Sequence, residues 1–536
     1  MPAALQNNAG SGDAPTPRTL TKIVATIGPA SESPDAVRRL ILAGVSVFRF
    51  NFSHGDFAAH SKRLAVVRAV SQELNRSIAV LGDLQGPKIR VGKIPEGVGS
   101  ASRSGGGTIE AVCGQDVVFK RGIKEAFYRE VVNAPAGTRE PVLPVTYEAL
   151  IGEVKQGQRV LINDGAIRML AVESNSELGE LRCRVIVGGP ITSGKGINLP
   201  QSDISAPAIT DRDWECVDYA VANDFDYLAL SFVRRAEEVL LLRNKMISMY
   251  AAKGDRSVGG SWIPIVSKIE KPQALTNLEA IVEASDAIMV ARGDLGVEMD
   301  IAQVPVAQKR IVAAAAKQGK PCIVATQMLE TMIDNTSPTR AEASDVANAV
   351  FDGADAVMLS AETATGKHPA LVVETMSRIV AVAEQRFAEI NNASTPPTTY
   401  SPEHLQTAAL AHGAWHISRD LKAPLIACWS EGGGTARYLS QNNFSVPILA
   451  FSTDARVARR MALYCGVIPV CSPPPKDRAL HGWNSMVVEM ARTLALVRDN
   501  DWIVMLAGRP LGKARATNAI AVHQVGKPVP LYDDKD

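Results

Sequence analysis

The stretch from Pro264 to Glu298 reads PIVSKIEKPQALTNLEAIVEASDAIMVARGDLGVE and holds two short apolar runs, each stopping abruptly in charge. Ile263, Ile265 and Val266 lead into Lys268 and Glu270, while Ala287 to Val290 lead into Arg292 and Asp294. Buried strands end this way when their last residues point into a site, and the spacer from Ala274 to Glu283 suits a helix. Strand, helix and strand make one βαβ unit. It sets one lysine and two carboxylates at neighbouring strand ends, the donor set for a hard divalent cation with an ammonium beside it. Taken singly, each half also reads as a solvated strand-to-helix loop carrying ordinary charges; their joint occurrence favours a site.

The same rhythm runs outward in both directions. Strands are expected at Lys22 to Ile27, Val45 to Phe50 and Ile78 to Leu81, and again at Tyr227 to Phe232, Pro264 to Ile269, Ala287 to Val290, Pro321 to Thr326 and Ala356 to Ser360. Helix starts punctuate them: Ser33 before Pro34, and Thr210 with Asp213 as a capping box. Eight strands that each feed a helix close most naturally as a TIM (β/α)8 barrel, whose chemistry lies at the C-terminal strand ends. That face would collect Arg49, Asn51, Ser53, Asp83, Lys268, Glu270, Asp294, Thr326 and Ser360.

Between about Pro87 and Gly189 the rhythm gives way to short Val- and Ile-rich runs with glycine punctuation, an inserted small β-barrel domain able to hinge as a lid. Beyond the polar segment Asn391 to Ser401 come further βα units at Leu425 to Trp429, Val446 to Phe451, Val467 to Val470 and Ile503 to Leu506. They read as a C-terminal doubly wound α/β domain. The expected division is a disordered tail over 1–19, barrel over 20–87 and 191–370, insertion over 88–190, and C-terminal regulatory domain over 371–536.

Composition narrows the function. The 536 residues are 46% hydrophobic, and 57 Lys plus Arg nearly balance 56 Asp plus Glu. No global field attracts nucleic acid or an anionic membrane, so an anionic ligand must be held by local groups. No apolar run approaches the ~20 residues that span a bilayer. Seven cysteines without CxxC spacing fit reduced thiols in a cytoplasmic protein.

Three local motifs bear on phosphate and cations. Gly189 to Lys195, GPITSGK, follows the spacing of a phosphate-binding loop until Gly196 replaces the required Ser or Thr, and no helix pattern follows; the loop is rejected, although Lys195 can still reach a phosphate. Arg49 can grip a phosphate in a fork, and the oxygens of Asn51 and Ser53 suit a hard cation or, alternatively, cap the loop. Arg292-Gly293-Asp294-Leu295-Gly296 joins a carboxylate to glycines that bare backbone N–H groups ahead of a helix N-terminus, or is a plain glycine turn.

Together TKIVATIGPAS, FRFNFSHG, GPKIRVG, NDG, GKGINLP, SKIE, VARGDLGVE, ATQMLE and MLSAET closely resemble the pyruvate kinase family, over nearly the whole chain past Leu20. The resemblance implies phosphoryl transfer from phosphoenolpyruvate to ADP. It implies Mg²⁺ or Mn²⁺ on Glu270 and Asp294, Lys268 against the transferring phosphoryl group, and Arg49 clamping its oxygens. The N–H groups of Gly293 and Asp294 would bind the substrate carboxylate, with Thr326 and Ser360 serving protonation of the enolate. Asn51, His54, Arg90 and Lys195 would meet the nucleotide, and Asn51, Ser53, Asp83 and the Leu84 carbonyl would form a monovalent-cation pocket. A homotetramer is expected on the same ground.

One departure concerns K⁺. Members that require it carry an acidic residue where this chain has Lys88, and usually Thr-Lys where it has Leu84-Gln85; a K⁺-independent enzyme is therefore expected. In the C-terminal domain, Ser430-Glu431-Gly432-Gly433-Gly434-Thr435 follows a strand and precedes a helix. A phosphorylated effector, a sugar monophosphate or AMP, is expected there with help from Lys513 and Arg515, although the loop also reads as an unregulated turn. Two other classes remain open. A Mg²⁺-dependent barrel lyase or aldolase acting on an oxo-acid would use the same carboxylate pair but would have no phosphoryl group for Lys268 and Arg49. A noncatalytic ligand sensor would have no need of every reacting side chain.

Overall fold

Runs that are apolar on both faces bury both faces, and all eight become strands of one closed ring. They are β1 (Lys22–Thr26), β2 (Val45–Asn51), β3 (Ala79–Asp83), β4 (Tyr227–Leu230), β5 (Ile265–Ile269), β6 (Ala287–Ala291), β7 (Cys322–Ala325) and β8 (Ala356–Leu359). They pair in parallel in chain order, and β8 returns to β1 to close the barrel. Inward residues such as Val24, Val47, Leu81, Val266, Met289 and Ile323 fill its interior, while outward ones such as Phe48, Leu228, Ile288 and Val324 pack beneath the helices. The computed structural model describes residues 18–527 apart from 102–105, 132–134, 136, 253, 255–261, 391–397, 399–403, 443–444, 477, 479, 509–510 and 513–516. The expected tail, save for its last two residues, and nearly all of the 391–401 segment lie outside the described residues, as do Lys513 and Arg515. Among the described residues no helix is long and apolar enough to cross a membrane.

Both expected helix starts are present. The Ser33 side chain accepts from the Ala36 N–H, and Thr210 and Asp213 satisfy each other's backbone in a complete capping box. The 274–283 spacer differs from expectation. It is two short helices, Pro272–Thr276 and Leu278–Ala284, broken at Asn277, whose amide donates to the Arg234 and Gln273 carbonyls instead of projecting from a continuous helix.

The insertion is mostly β, with the single helical turn Leu150–Glu153 beside its sheets. A seven-stranded sheet and a three-stranded sheet enclose a core containing Ile109, Phe119, Val160, Met169, Leu181 and Ile191. Gly189–Thr192 is a strand of the smaller sheet and no helix follows, so the rejected phosphate loop is absent in fact.

The C-terminal sheet runs β11-β10-β9-β12-β13, from β9 (Leu425–Trp429), β10 (Ile448–Ser452), β11 (Val467–Cys471), β12 (Trp502–Gly508) and β13 (Thr517–Gln524). The antiparallel edge strand β13 was not expected from the sequence, whose alanines there blur the alternation. This domain stoppers the barrel: Ala462 and Leu463 join the interior cluster, and the Tyr227 hydroxyl donates to the Arg460 carbonyl at 2.6 Å. The opposite end, where the strands finish, is the mouth.

Asp355, ahead of β8, sits in this seam and accepts from the Cys322 N–H and the Gln441 amide. Burial pushes its carboxyl up to about 7 against those donors. The folded state therefore retains a proton that the unfolded chain releases above about pH 4, and stability falls as pH rises towards 7, by up to about 1.4 kcal/mol per unit. Asp355→Asn removes that slope. Between pH 5 and 8 the wild type's melting temperature is expected to fall relative to that of Asp355→Asn; parallel curves would contradict the assignment.

Candidate active site

On β5 the residues alternate, so Ile269 joins the outer core while Lys268 and Glu270 share the inner side near the mouth. Lys268 Nζ lies 2.8 Å from Glu270 Oε1 and 3.3 Å from Asp83 Oδ1, and donates to Ser231 Oγ at 2.8 Å. Asp83, the last residue of β3, accepts from Arg49 Nε at 2.7 Å, and Arg49 Nη1 donates to Thr26 Oγ1 at 3.1 Å. The ends of β1, β2, β3 and β5 and the residue after β4 thus share one buried network.

Its charges set one another. Burial disfavours the Lys268 ammonium, but Asp83, Glu270 and Asp294 outweigh it and hold the group above the ordinary lysine value. Burial likewise raises Asp83, which Lys268 and Arg49 more than reverse. Glu270 goes the other way: burial, reinforced by Asp294, pushes its carboxyl up despite the ammonium beside it. Lys268 is thus fully charged while Glu270 is short of positive charge.

That shortage is the test for a metal. Glu270 is fully buried; Oε2 accepts the Phe232 N–H at 2.6 Å, whereas Oε1 has the ammonium as an ion-pair neighbour but no hydrogen bond of good geometry. Two carboxylates with an oxygen to spare fit a hard divalent cation. Among the described residues no group of three or more His, Cys, Asp or Glu side chains is arranged as a metal site. Glu270 and Asp294 could hold such an ion if water and substrate supplied its remaining ligands, the usual habit of Mg²⁺.

The ends of β6 to β8 complete the rim. Helix Arg292–Glu298 begins within the RGDLG motif itself, one turn earlier than expected, so Gly293 and Asp294 lie in its first turn. Gly293 N–H donates to Thr326 Oγ1 at 2.7 Å, and a methyl group on Gly293 would meet that oxygen at 3.3 Å, which explains the glycine. Thr326 has φ +69° and Gln327 +55°, costly for a β-branched residue and the kind of strain held at functional sites. The Arg292 guanidinium holds them there, donating to the Thr326 carbonyl at 2.7 Å and the Gln327 carbonyl at 3.2 Å while anchored on Asp345. Ser360 caps the Ala361–Ala364 turn, its N–H donating to buried Glu362 at 2.6 Å.

The expected monovalent-cation pocket is largely satisfied from within. Asn51 Oδ1 accepts the Ser53 N–H, the capping alternative; the Leu84 carbonyl accepts from Ser231, and Asp83 is held by Arg49 and Lys268. Lys88 lies at the root of the insertion, where a methyl group on Gly196 would sit 3.1 Å from its Cε. The insertion's sheets run past the expected end at 190 to Asn198, and Arg90 and Lys195 come together there, Arg90 bridging Gly196 and donating to the Gly194 carbonyl. His54 is exposed in the turn after β2.

Ser231, Thr26, Arg292 and Glu362 escaped the sequence reading as site residues. The first two end apolar runs as small hydroxyls, a weak signal; the others were quoted within motifs without a role. In the C-terminal domain, Gly433 caps a seven-residue helix, Gly434–Ser440, and Ser430 Oγ accepts the Ala436 N–H. Thr435 shares a hydrogen bond with Thr517, and the loop's own Glu431 carboxylate accepts from Thr453 N–H and Oγ1. Among the described residues nothing lies where a methyl group on Gly432 or Gly434 would touch it.

An ammonium, a guanidinium and two carboxylates around one barrel mouth define a metal-assisted enzyme for a small, strongly anionic substrate. Residues 18–373 match the family profile "Pyruvate kinase, barrel domain" and 408–523 match "Pyruvate kinase, alpha/beta domain". A pyruvate kinase of Mycobacterium tuberculosis is 39% identical over 508 residues, covering 94% of this chain and 98% of the relative. One from Corynebacterium glutamicum is 39% identical over 509 residues with the same coverage, and pyruvate kinase 2 of Synechocystis is 38% identical over 513 residues, 95% of this chain and 80% of the relative. The chain belongs to the pyruvate kinase family.

Proposed function

We propose that the chain moves the phosphoryl group of phosphoenolpyruvate to ADP. The enol P–O bond breaks, a bond to the terminal ADP oxygen forms, and the enolate takes a proton at its methylene carbon to become pyruvate. The observation that carries this reading is Lys268, fully charged and fixed between two carboxylates with Arg49 on the same network. Phosphoryl transfer demands alignment and cancellation of charge more than covalent help, and this pair supplies both. Mg²⁺ or Mn²⁺, when held by Glu270 and Asp294, supplies further positive charge towards the substrate oxygens. Thr326 and Ser360 stand at adjacent strand ends β7 and β8, suited to guiding the proton. Arg90 and Lys195 present cationic groups from the insertion for the nucleotide phosphates. A carbon–carbon lyase would leave Lys268 and Arg49 without a phosphoryl group to clamp.

We further propose that K⁺ is dispensable, on the ground of Lys88 and of oxygens at Asp83 and Leu84 already engaged by internal donors. A phosphorylated effector, a sugar monophosphate or AMP, at Ser430 to Thr435 is proposed on the loop's place after a strand and before a helix; the Glu431 carboxylate in that loop is engaged by Thr453. A coupled assay with Mg²⁺ and tetramethylammonium as the monovalent cation is expected to show ATP formed from phosphoenolpyruvate and ADP. ATP only after K⁺ is added would overturn cation independence, and no ATP in either salt would overturn the reaction.

A further inference from the structure

The Arg292–Glu298 helix carries Asp294 in its first turn and Glu298 in its last. Glu298 is 1% exposed, and its Oε1 accepts from two elements: Asn198 Nδ2 at 2.9 Å and Lys271 Nζ at 3.0 Å. Asn198 belongs to the chain's return from the insertion to the barrel, where Ile197–Asn198 pairs with the Arg159–Ile162 strand of the large sheet. Lys271 follows Glu270 directly and lies 5.8 Å from the ring centre of Phe232, whose N–H holds Glu270. The insertion's NDG turn also approaches this helix: a methyl group added at Gly165 would lie 3.6 Å from Val297.

Beside this junction is a cavity of about 40 Å³ bordered by both crossings of the insertion, among them Pro87, Lys88 and Asn198, and by Phe232, Gln273 and Glu298. Glu298 Oε2 and Gln273 Oε1 are buried without a hydrogen-bond partner among the described residues. An unpaired carboxylate oxygen is costly to bury, and the cavity has room for a water or for a donor moving in as the hinge turns. We propose that Glu298 is a positioning residue, a latch that fixes the insertion's hinge to the helix bearing Asp294 and so registers the lid cations against the barrel mouth. Oε1 holds the Asn198 amide in the arrangement seen, and Oε2 offers a second seat to a donor when the lid rotates. No bond at the reacting atoms involves it.

This rests on the phosphotransfer reading, in which Arg90 and Lys195 on the lid meet the nucleotide. Loosening the latch should then cost nucleotide affinity and spare phosphoenolpyruvate, which the barrel holds alone. Asn198→Ala is expected to raise the KM for ADP about tenfold, Glu298→Ala, which also releases Lys271, at least as much, and the double variant no further than Glu298→Ala alone, because the Asn198 contact is already cut in it. The dissociation constant of phosphoenolpyruvate should stay within about twofold. Glu298→Gln keeps an acceptor for the Asn198 amide and should return the KM for ADP to within about threefold of wild type. A purely structural role would lower the melting temperature and the active fraction without that split. An unchanged KM for ADP in Asn198→Ala, or effects that multiply in the double variant, would overturn the latch; Asn198→Ala and Glu298→Gln decide the matter if Glu298→Ala does not fold. Wild-type enzyme that makes no ATP would instead overturn the phosphotransfer reading.

Discussion

Lys268→Met is expected to lower kcat for ATP formation by about 10³-fold or more while phosphoenolpyruvate still binds near its wild-type affinity. Methionine keeps the length and apolar stem of lysine and removes the charge alone. In the folded enzyme that charge is already held above the ordinary lysine value by Asp83, Glu270 and Asp294, so it needs no reorganisation as charge develops on the transferring phosphoryl oxygens. Interactions that strengthen only in the transition state appear in kcat, not in ground-state affinity. The substitution also leaves Glu270 buried without its counter-ion, whereas Asp83 keeps Arg49. Breaking such a pair costs roughly 3–5 kcal/mol, so the metal-free variant should melt earlier and regain part of the loss when Mg²⁺ is added. A kcat within tenfold of wild type, or a defect confined to KM for phosphoenolpyruvate, would assign Lys268 to ground-state binding.

Glu270→Gln is the second large effect. Glutamine can still accept the Phe232 N–H, so the loop after β4 keeps its anchor, but the side chain is uncharged and cannot serve as an anionic ligand. Loss of kcat on the order of 10²–10³ is expected, together with at least a tenfold rise in the Mg²⁺ concentration for half activation. An unchanged Mg²⁺ requirement would mean that Glu270 serves only to hold Lys268.

The sequence made the barrel legible because each buried strand is a continuous apolar run, and the charges at Arg49, Asp83, Lys268, Glu270 and Asp294 mark the same end of four of them, β2, β3, β5 and β6. It could not show what depends on side chains meeting across the ring. Ser231 looks like the tail of LALSF until Lys268 donates to it. Arg292 passes for a rim charge until it is found holding Thr326 and Gln327 in the left-handed region. Asn277 breaks a helix that its neighbours' composition favours. Glu298 and Glu431 each end or enter a recognised motif, and their roles come from partners far away in sequence, Asn198 and Thr453. Lys88 was legible as a departure from its relatives' pattern and as the first residue of the expected insertion, but its approach to Gly196 on the returning segment was not.

Diffraction from crystals grown with Mn²⁺ and pyruvate, recorded where manganese scatters anomalously, tests most directly whether one barrel mouth assembles the metal and the anion. A single strong peak bridging the Glu270 and Asp294 carboxylates is expected, with pyruvate beside it and Lys268, and the peak should vanish in Glu270→Gln. Manganese bound away from those two carboxylates, or a peak indifferent to the substitution, would contradict it.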